Sequence, residues 1–184
     1  MTIVDMGSAN TCKNDPSIID AMIGALHDVD NHDHEVVIKW QLFRQETVPA
    51  CLPLTPEAFA HAVNIADDYG YETTASVFDD WGIAELDHYD VPFIKIACRE
   101  WCYPLIAKLG RTTPVIVSVP DLATADRLKC VHDNLSFLFC VPEYPATAVE
   151  YRRRFGALLE LGISDHCPDT HLWLEYEPKY YERH

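Results

Sequence analysis

Gly162-Ile163-Ser164-Asp165-His166 is followed, past a weak helical stretch near Leu172–Glu177, by Lys179-Tyr180-Tyr181-Glu182-Arg183-His184. Each segment is a short apolar run that ends in a histidine. The two histidines are eighteen positions apart, too far for one helix face. That spacing fits two neighbouring strands joined by a short helix, with both histidines at the same end. Two imidazoles brought together in this way could hold a divalent metal, with Asp165 and Glu182 close by.

The same alternation extends outward from this pair. β-type runs are read at Ile3–Met6, Glu35–Trp40, Tyr71–Ser76, Phe93–Ala97, Val115–Ser118 and Leu135–Cys140, and then at the two closing segments. Helical patterns separate them. Asp15-Pro16 caps a helix to about His27, and Thr55-Pro56-Glu57-Ala58 opens another, read with a capping box, that runs to Tyr69-Gly70. Shorter ones are expected at Trp81–His88, Pro104–Leu109 and Ala123–Asp133, and a longer one at Thr147–Leu161. Eight strands alternating with helices imply a parallel sheet with right-handed crossovers. The count favours a compact (β/α)8 TIM barrel of α/β class, with no helix after strand eight. No Gly-x-Gly-x-x-Gly turn follows strand one, which weakens the dinucleotide-binding alternative.

With 184 residues and 48% hydrophobic content, residues 1–184 are read as one domain. The formal net charge of −15 argues against nucleic acid or an anionic membrane as partner. No apolar run has the length of a membrane span, and no signal peptide is read at the N-terminus. Seven cysteines, an odd number partly inside apolar runs, read as free thiols in a reducing cytoplasm.

A barrel of this kind carries its site at the C-terminal ends of its strands. Those ends supply Asp5, Lys39, Gln41, Ser76, Lys95, Glu100, Ser118, Tyr144, Ser164, Asp165, His166, Glu182 and His184. Two lysines inside β-runs, Lys39 and Lys95, are costly to bury without a partner and suggest an anionic ligand.

Eight stretches resemble the N-acetylneuraminate (sialic acid) synthase family and fall in that family's order. They are Asp5–Ser8, Ile38–Phe43, Ser76–Asp79, Ile94–Glu100, Pro114–Ser118, Phe139–Pro145, Gly162–His166 and Tyr181–His184. The resemblance implies condensation of phosphoenolpyruvate with an N-acylated sugar aldehyde such as N-acetylmannosamine. It implies that Lys39 and Lys95, with Ser76, Ser118, Ser164 and Asp165, bind substrate. His166 and His184 would hold Mn2+ or Mg2+. Asp5 stands where the family has a glutamate that handles protons near the sugar, and Gln41, Glu100, Tyr144 and Glu182 take further catalytic positions. Cys98 replaces a phosphoenolpyruvate-binding serine, and Pro142 replaces an asparagine.

The family's terminal helix and antifreeze-like domain have no counterpart up to His184. The outer faces of strands one and eight are therefore expected to lie open and to be covered by a second copy in a homodimer. Two other readings stand beside the synthase: a non-catalytic barrel that keeps the phosphoenolpyruvate or metal pocket, and a Schiff-base aldolase using Lys95 or Lys39. The Asp30–Glu35 loop and Arg152-Arg153-Arg154 read as solvated surface. His27, His61, His88, His132 and His171 read as surface or satisfied histidines. Trp81, Trp101 and Trp173 read as packing residues, with Trp101 also a candidate substrate wall.

Overall fold

The structure is a computed structural model that describes residues 1–169 and 171–184. Among the described residues, eight parallel strands pair in sequence order and close into a barrel. They are β1 (Thr2–Gly7), β2 (Val36–Leu42), β3 (Glu72–Val77), β4 (Ile94–Ile96), β5 (Val115–Val119), β6 (Leu135–Cys140), β7 (Ile163–Asp165) and β8 (Tyr181–Arg183). β8 pairs with β1 through Thr2↔Tyr181, Ile3↔Glu182 and Val4↔Arg183. The helices are α1 (Ala9–Cys12), α2 (Pro16–Val29), α3 (Pro56–Asp68), α4 (Asp80–Leu86), α5 (Leu122–Lys129), α6 (Ala148–Phe155) and α7 (His171–Tyr176). No helix is long and apolar enough to cross a membrane among the described residues.

The period of two along each strand divides the side chains into two layers. On β2, Val36, Ile38, Trp40 and Leu42 alternate with Val37, Lys39 and Gln41. Ile38, Trp40 and Leu42 join the large apolar cluster between sheet and helices, together with Phe59 of α3. Burying each such side chain contributes about 1.5–3 kcal/mol. The other set faces the barrel interior. Ile3, Val37, Phe93, Ile116 and Leu138 form a separate apolar cluster that fills its lower part. The next residues up these strands are Asp5, Lys39 and Ser118, so a polar layer lies directly on a dry floor.

Local chemistry sets the element ends. The Asp15 carboxylate accepts from Ser17 N, and Pro16 takes the first turn of α2, where its missing N–H costs nothing. Thr55 caps α3 by accepting from Ala58 N, but the capping box expected there is absent, because Ala58 has no carboxylate to return the bond. The reciprocal box occurs instead at Thr147 and Glu150 on α6. The helix expected at Pro104–Leu109 is a 3-10 segment, Glu100–Lys108, with Pro104 inside it and unable to donate an α-helical bond. The long helix expected at Thr147–Leu161 becomes α6 followed by 3-10 turns over Gly156–Glu160, with Gly156 at φ +50° at the break. Gly162 leads into β7 so close to β6 that a Cβ would lie 2.6 Å from the Phe137 carbonyl oxygen.

The open face expected over β1 and β8 is narrower than the sequence suggested. Tyr181 is buried beneath Trp173 of α7, with ring centroids 5.2 Å apart. Arg183 is tied down by bonds to the carbonyls of Cys167 (2.6 Å) and Asp169 (3.1 Å). Thr2 and Val4 of β1 stay half-buried. The Asp30–Glu35 loop lies at the opposite end from the site, since the Glu35 carbonyl accepts from Thr2 N where β1 begins.

Candidate active site

The C-terminal ends of the strands enclose a cavity of about 220 Å³. A buried charge network forms its base. Lys39 Nζ lies 2.9 Å from Asp5 Oδ2, 3.3 Å from Glu182 Oε1 and 3.2 Å from Ser76 Oγ. Lys95 Nζ lies 3.3 Å from Glu182 Oε2 and donates to Ser118 Oγ at 2.8 Å. Glu182 also accepts from Ser164 Oγ at 2.6 Å. One carboxylate, 1% exposed, thus bridges two ammonium groups, each 2% exposed or less.

These groups fix one another's charge. Burial alone would raise the Glu182 carboxyl, but Lys95, Lys39 and His184 outweigh it and hold it well below the usual range. Burial would lower Lys39, yet Asp5 and Glu182 raise it, so its amine stays charged. Asp5 is likewise held low against burial by Lys39 and by its bond to His184. Its oxygens also accept from Gln41 Nε2 (3.0 Å) and Gly7 N (2.9 Å). A carboxylate so fully engaged is a weak proton acceptor, so its geometry suits holding neighbours in place better than taking protons.

The two imidazoles meet at the rim, ring centroids 4.6 Å apart and edge to face. His166 Nδ1 lies 3.3 Å from the Glu143 carbonyl, which can only accept. The proton is therefore assigned to Nδ1, and Nε2 accepts from the Tyr144 hydroxyl at 2.6 Å. Burial, with His184 beside it, pushes His166 down to about 4. His184 is the opposite case. Its Nδ1 is 2.8 Å from Asp5 Oδ2 and its Nε2 3.4 Å from Glu182 Oε2, and against burial these carboxylates raise it.

A neutral imidazole, a second imidazole and adjacent carboxylate oxygens are a donor set that fits a divalent ion. Both rings are hydrogen-bonded in the present arrangement. As the side chains stand, however, no group of three or more His, Cys, Asp or Glu among the described residues is placed so that it could hold a metal ion. Binding an ion would require His184 to lose its proton and Tyr144 to leave His166 Nε2.

Of the residues singled out from the sequence, Asp5, Lys39, Gln41, Ser76, Lys95 and Ser118 line the cavity. So do Tyr144, Ser164, His166, Glu182 and His184. Two do not, and these are corrections. Asp165 faces away from the barrel interior, fully buried, and accepts from Tyr181 Oη at 2.6 Å and Cys167 N at 2.8 Å. The period of two explains it: Ser164 and His166 point inward, so the residue between them points out. Glu100 lies in the 3-10 segment, exposed and paired with Arg127 at 2.9 Å.

Trp101, read from the sequence as a candidate substrate wall, lines the cavity, and residues not singled out, among them Phe43, Phe78 and Cys140, complete it. Phe43 and Phe78 follow the polar ends of β2 and β3 and pack edge to face at 5.7 Å. Trp101, 51% exposed, continues this wall at 6.0 Å from Phe78. Cys140 also lines the cavity; its signal was its place at the C-terminal end of a strand, masked by its apolar neighbours. None of the other described histidines lines the cavity, and one of them, His27, is not satisfied, since its buried Nδ1 has no hydrogen-bond partner among the described residues. His61 pairs with Asp20, His132 meets the Gly110 carbonyl at 2.7 Å, His27 packs on Tyr69 and His88 is exposed. The side chain of His171 lies outside the described residues.

Similarity to known proteins agrees with this architecture. An N-acetylneuraminic acid (sialic acid) synthetase from Leptospira borgpetersenii serovar Hardjo-bovis, solved in complex with citrate, superposes with a TM-score of 0.82 at 16% identity. The match covers 100% of this chain and 72% of that one. A spore coat polysaccharide biosynthesis protein from Bacillus subtilis gives a TM-score of 0.77 at 17% identity, covering 100% of this chain and 59% of that one. A truncated 3-deoxy-D-arabino-heptulosonate 7-phosphate synthase from Thermotoga maritima gives 0.63 at 12% identity, covering 99% and 73%. At such identities the likeness establishes the barrel fold alone. No curated protein matches the sequence. The NeuB family model matches residues 25–174, most of the barrel, and the chain therefore belongs to the NeuB family.

Proposed function

We propose that the protein condenses phosphoenolpyruvate with an N-acylated sugar aldehyde of the N-acetylmannosamine type, giving a sialic-type acid and inorganic phosphate. The observation that carries this reading is the pair of buried lysines, Lys39 and Lys95, set among Ser76, Ser118 and Ser164 beneath two adjoining imidazoles. In the reaction, C3 of the enol bonds to the aldehyde carbon, water adds at C2, and phosphate leaves by C–O cleavage.

The lysines and hydroxyls would bind the phosphate and carboxylate by charge-assisted bonds. The two lysine charges are already balanced by Asp5 and Glu182. An incoming polyanion therefore has to compete with Glu182, and its net attraction comes from the charged His184 or from a bound cation. His166 and His184 are the residues that would hold Mn2+ or Mg2+. Such an ion, when bound, polarises the aldehyde oxygen. Asp5 keeps Gln41 and His184 oriented, and Tyr144 stands at the mouth, where the sugar enters. The reading carries a homodimer and a cytoplasmic location with it.

A Schiff-base aldolase is less well supported, because such chemistry needs a neutral amine, whereas Lys39 is held charged and Lys95 is ion-paired with Glu182 at 3.3 Å. A barrel that binds but does not turn over is favoured by one observation, the low basicity of Asp5. Phosphate release from phosphoenolpyruvate, N-acetylmannosamine and Mn2+, measured with and without a chelator, decides between them. Chelator-sensitive release is expected. Thermal stabilisation by phosphoenolpyruvate with no release would identify the non-catalytic barrel.

A further inference from the structure

Three lysine and arginine residues line the cavity, Lys39, Lys95 and Arg99, against two carboxylates, Asp5 and Glu182. Both carboxylates are engaged with the lysines at the floor. Arg99 stands apart from that network. Among the described residues no carboxylate forms an ion pair with it, and the one bond its side chain makes runs from Nη1 to the carbonyl of its own neighbour Cys98, at 3.3 Å. The adjacent carboxylate that could neutralise it, Glu100, is turned to Arg127 at 2.9 Å. The backbone fixes where Arg99 stands. It is the third residue beyond β4, the strand whose Lys95 reaches the floor. Its N–H donates to the Ala97 carbonyl at 2.7 Å, and its own carbonyl accepts from Cys102 N at 2.9 Å, so the turn is tied on both sides of it. Arg99 is exposed, whereas the lysines are buried, which puts its charge at the mouth of the cavity. In a chain of formal net charge −15, an unpaired cation on this wall decides where an anion is drawn in. At the floor an incoming anion competes with Glu182; at Arg99 it displaces only water.

We propose that Arg99 is a further substrate-binding residue, which takes the phosphate group of phosphoenolpyruvate at the mouth of the cavity. The inference rests on the reading of the site as a phosphoenolpyruvate site and adds to it the place of the phosphate. A guanidinium presents two parallel N–H groups that match two phosphate oxygens, and it is more weakly hydrated than an ammonium. The lysines and serines then meet the substrate from beneath, and Arg99 meets its phosphate from the solvent side. The phosphate is also the group that must leave. When the C2–O bond breaks, its electron pair stays on the phosphate oxygen, and the guanidinium, which keeps its proton, is placed to meet that charge. From an exposed seat the released phosphate departs to solvent without crossing the buried lysine layer.

The test is isothermal titration of phosphoenolpyruvate, and separately of inorganic phosphate, into the parent protein and three variants. Arg99→Gln loses the charge-assisted bonds, and its affinity for both ligands should fall about 10- to 100-fold. Arg99→Lys keeps the charge without the fork and should recover part of that loss. Arg111→Gln removes the same charge from the Arg111–Asp133 pair, ahead of β5 at the opposite end of the barrel, and should leave both affinities unchanged. Equal urea midpoints of the parent and Arg99→Gln are expected for an exposed side chain and check that the barrel is intact. An Arg99→Gln variant that binds phosphoenolpyruvate as the parent does would overturn the role of Arg99 alone. So would a loss for phosphoenolpyruvate with inorganic phosphate unaffected, which would place the carboxylate there, or an equal loss in Arg111→Gln, which would make the effect one of overall charge. A parent protein that does not bind phosphoenolpyruvate would defeat the reading of the whole site, and the proposal with it.

Discussion

The Tyr144 hydroxyl lies 2.6 Å from His166 Nε2, with the two rings stacked at a centroid distance of 3.7 Å. The phenol therefore occupies the only lone pair that His166 has for a metal. Removing the hydroxyl takes away a competing hydrogen bond of about 0.5–1.5 kcal/mol. Tyr144→Phe should bind Mn2+ about 2- to 10-fold more tightly, measured by calorimetry on the protein without substrate. Unchanged or weaker binding would show that the phenol does not compete with the ion.

Glu182 is the shared counter-ion of Lys39 and Lys95, which makes the network sensitive to loss of any single charge. Lys39→Met leaves the buried Asp5 without a lysine partner and Glu182 with Lys95 alone. Breaking such a pair costs about 3–5 kcal/mol, so the urea midpoint should fall clearly. Lys39→Met combined with Glu182→Gln should lose less than the sum of the single losses, because the double change removes both members of one pair. Additive losses would mean that the two side chains are not coupled.

Asp165 provides a separation of stability from binding. Asp165→Ala removes the acceptor for Tyr181 Oη and Cys167 N in a fully buried position. A loss of about 1–3 kcal/mol is expected for the stranded donors, with affinity for phosphoenolpyruvate unchanged in isothermal titration. Glu100→Ala, at an exposed ion pair, should change stability by less than about 0.5 kcal/mol. A large loss of ligand affinity in the folded Asp165 variant would return that residue to the site.

Acid should destabilise the fold in two stages. Burial, with His184 beside it, pushes His166 down to about 4, whereas the unfolded chain takes up this proton near 6.5. Between those values the unfolded state binds more protons, so stability falls as pH falls. Asp5 and Glu182 are held low, so their contribution is present above the ordinary carboxylate range and is lost below it. His184 is raised, and its contribution has the opposite sign: full below about 6.5 and lost as pH rises through its folded value. Urea midpoints of the parent protein and His166→Asn between pH 8 and pH 4 check the first stage. The variant should show a shallower decline from about 6.5 to 4, and equal slopes would remove His166 as its source.

The barrel was legible in the sequence because each β-run is short, bounded and separated by capped helices, as at Asp15-Pro16 and Thr55-Pro56. The inward polar layer was legible because Lys39 and Lys95 interrupt apolar runs where a charge has no ordinary reason to be. The internal pairing was not legible. Nothing in the local pattern says that Glu182, from β8, will reach both lysines, since this depends on the register and tilt of strands far apart in the chain. Asp165 stands at a strand end and in a family-like stretch, yet alternation along β7 turns it away from the interior that Ser164 and His166 share. Phe43 and Phe78 were passed over because aromatic residues at strand ends look the same whether they face helices or a cavity.

The pairing of β1 with β8 brings Asp5 and His184 to 2.8 Å from nearly opposite ends of the 184-residue chain. Contacts of such high sequence separation form late and slowly in folding. During synthesis, Asp5 and Lys39 leave the ribosome long before Glu182 and His184 can join them. A half-made barrel has the lysines but not the carboxylate that bridges them, and no part of the chain short of ring closure carries the assembled site. Completion of the fold and completion of the charge network are therefore one event.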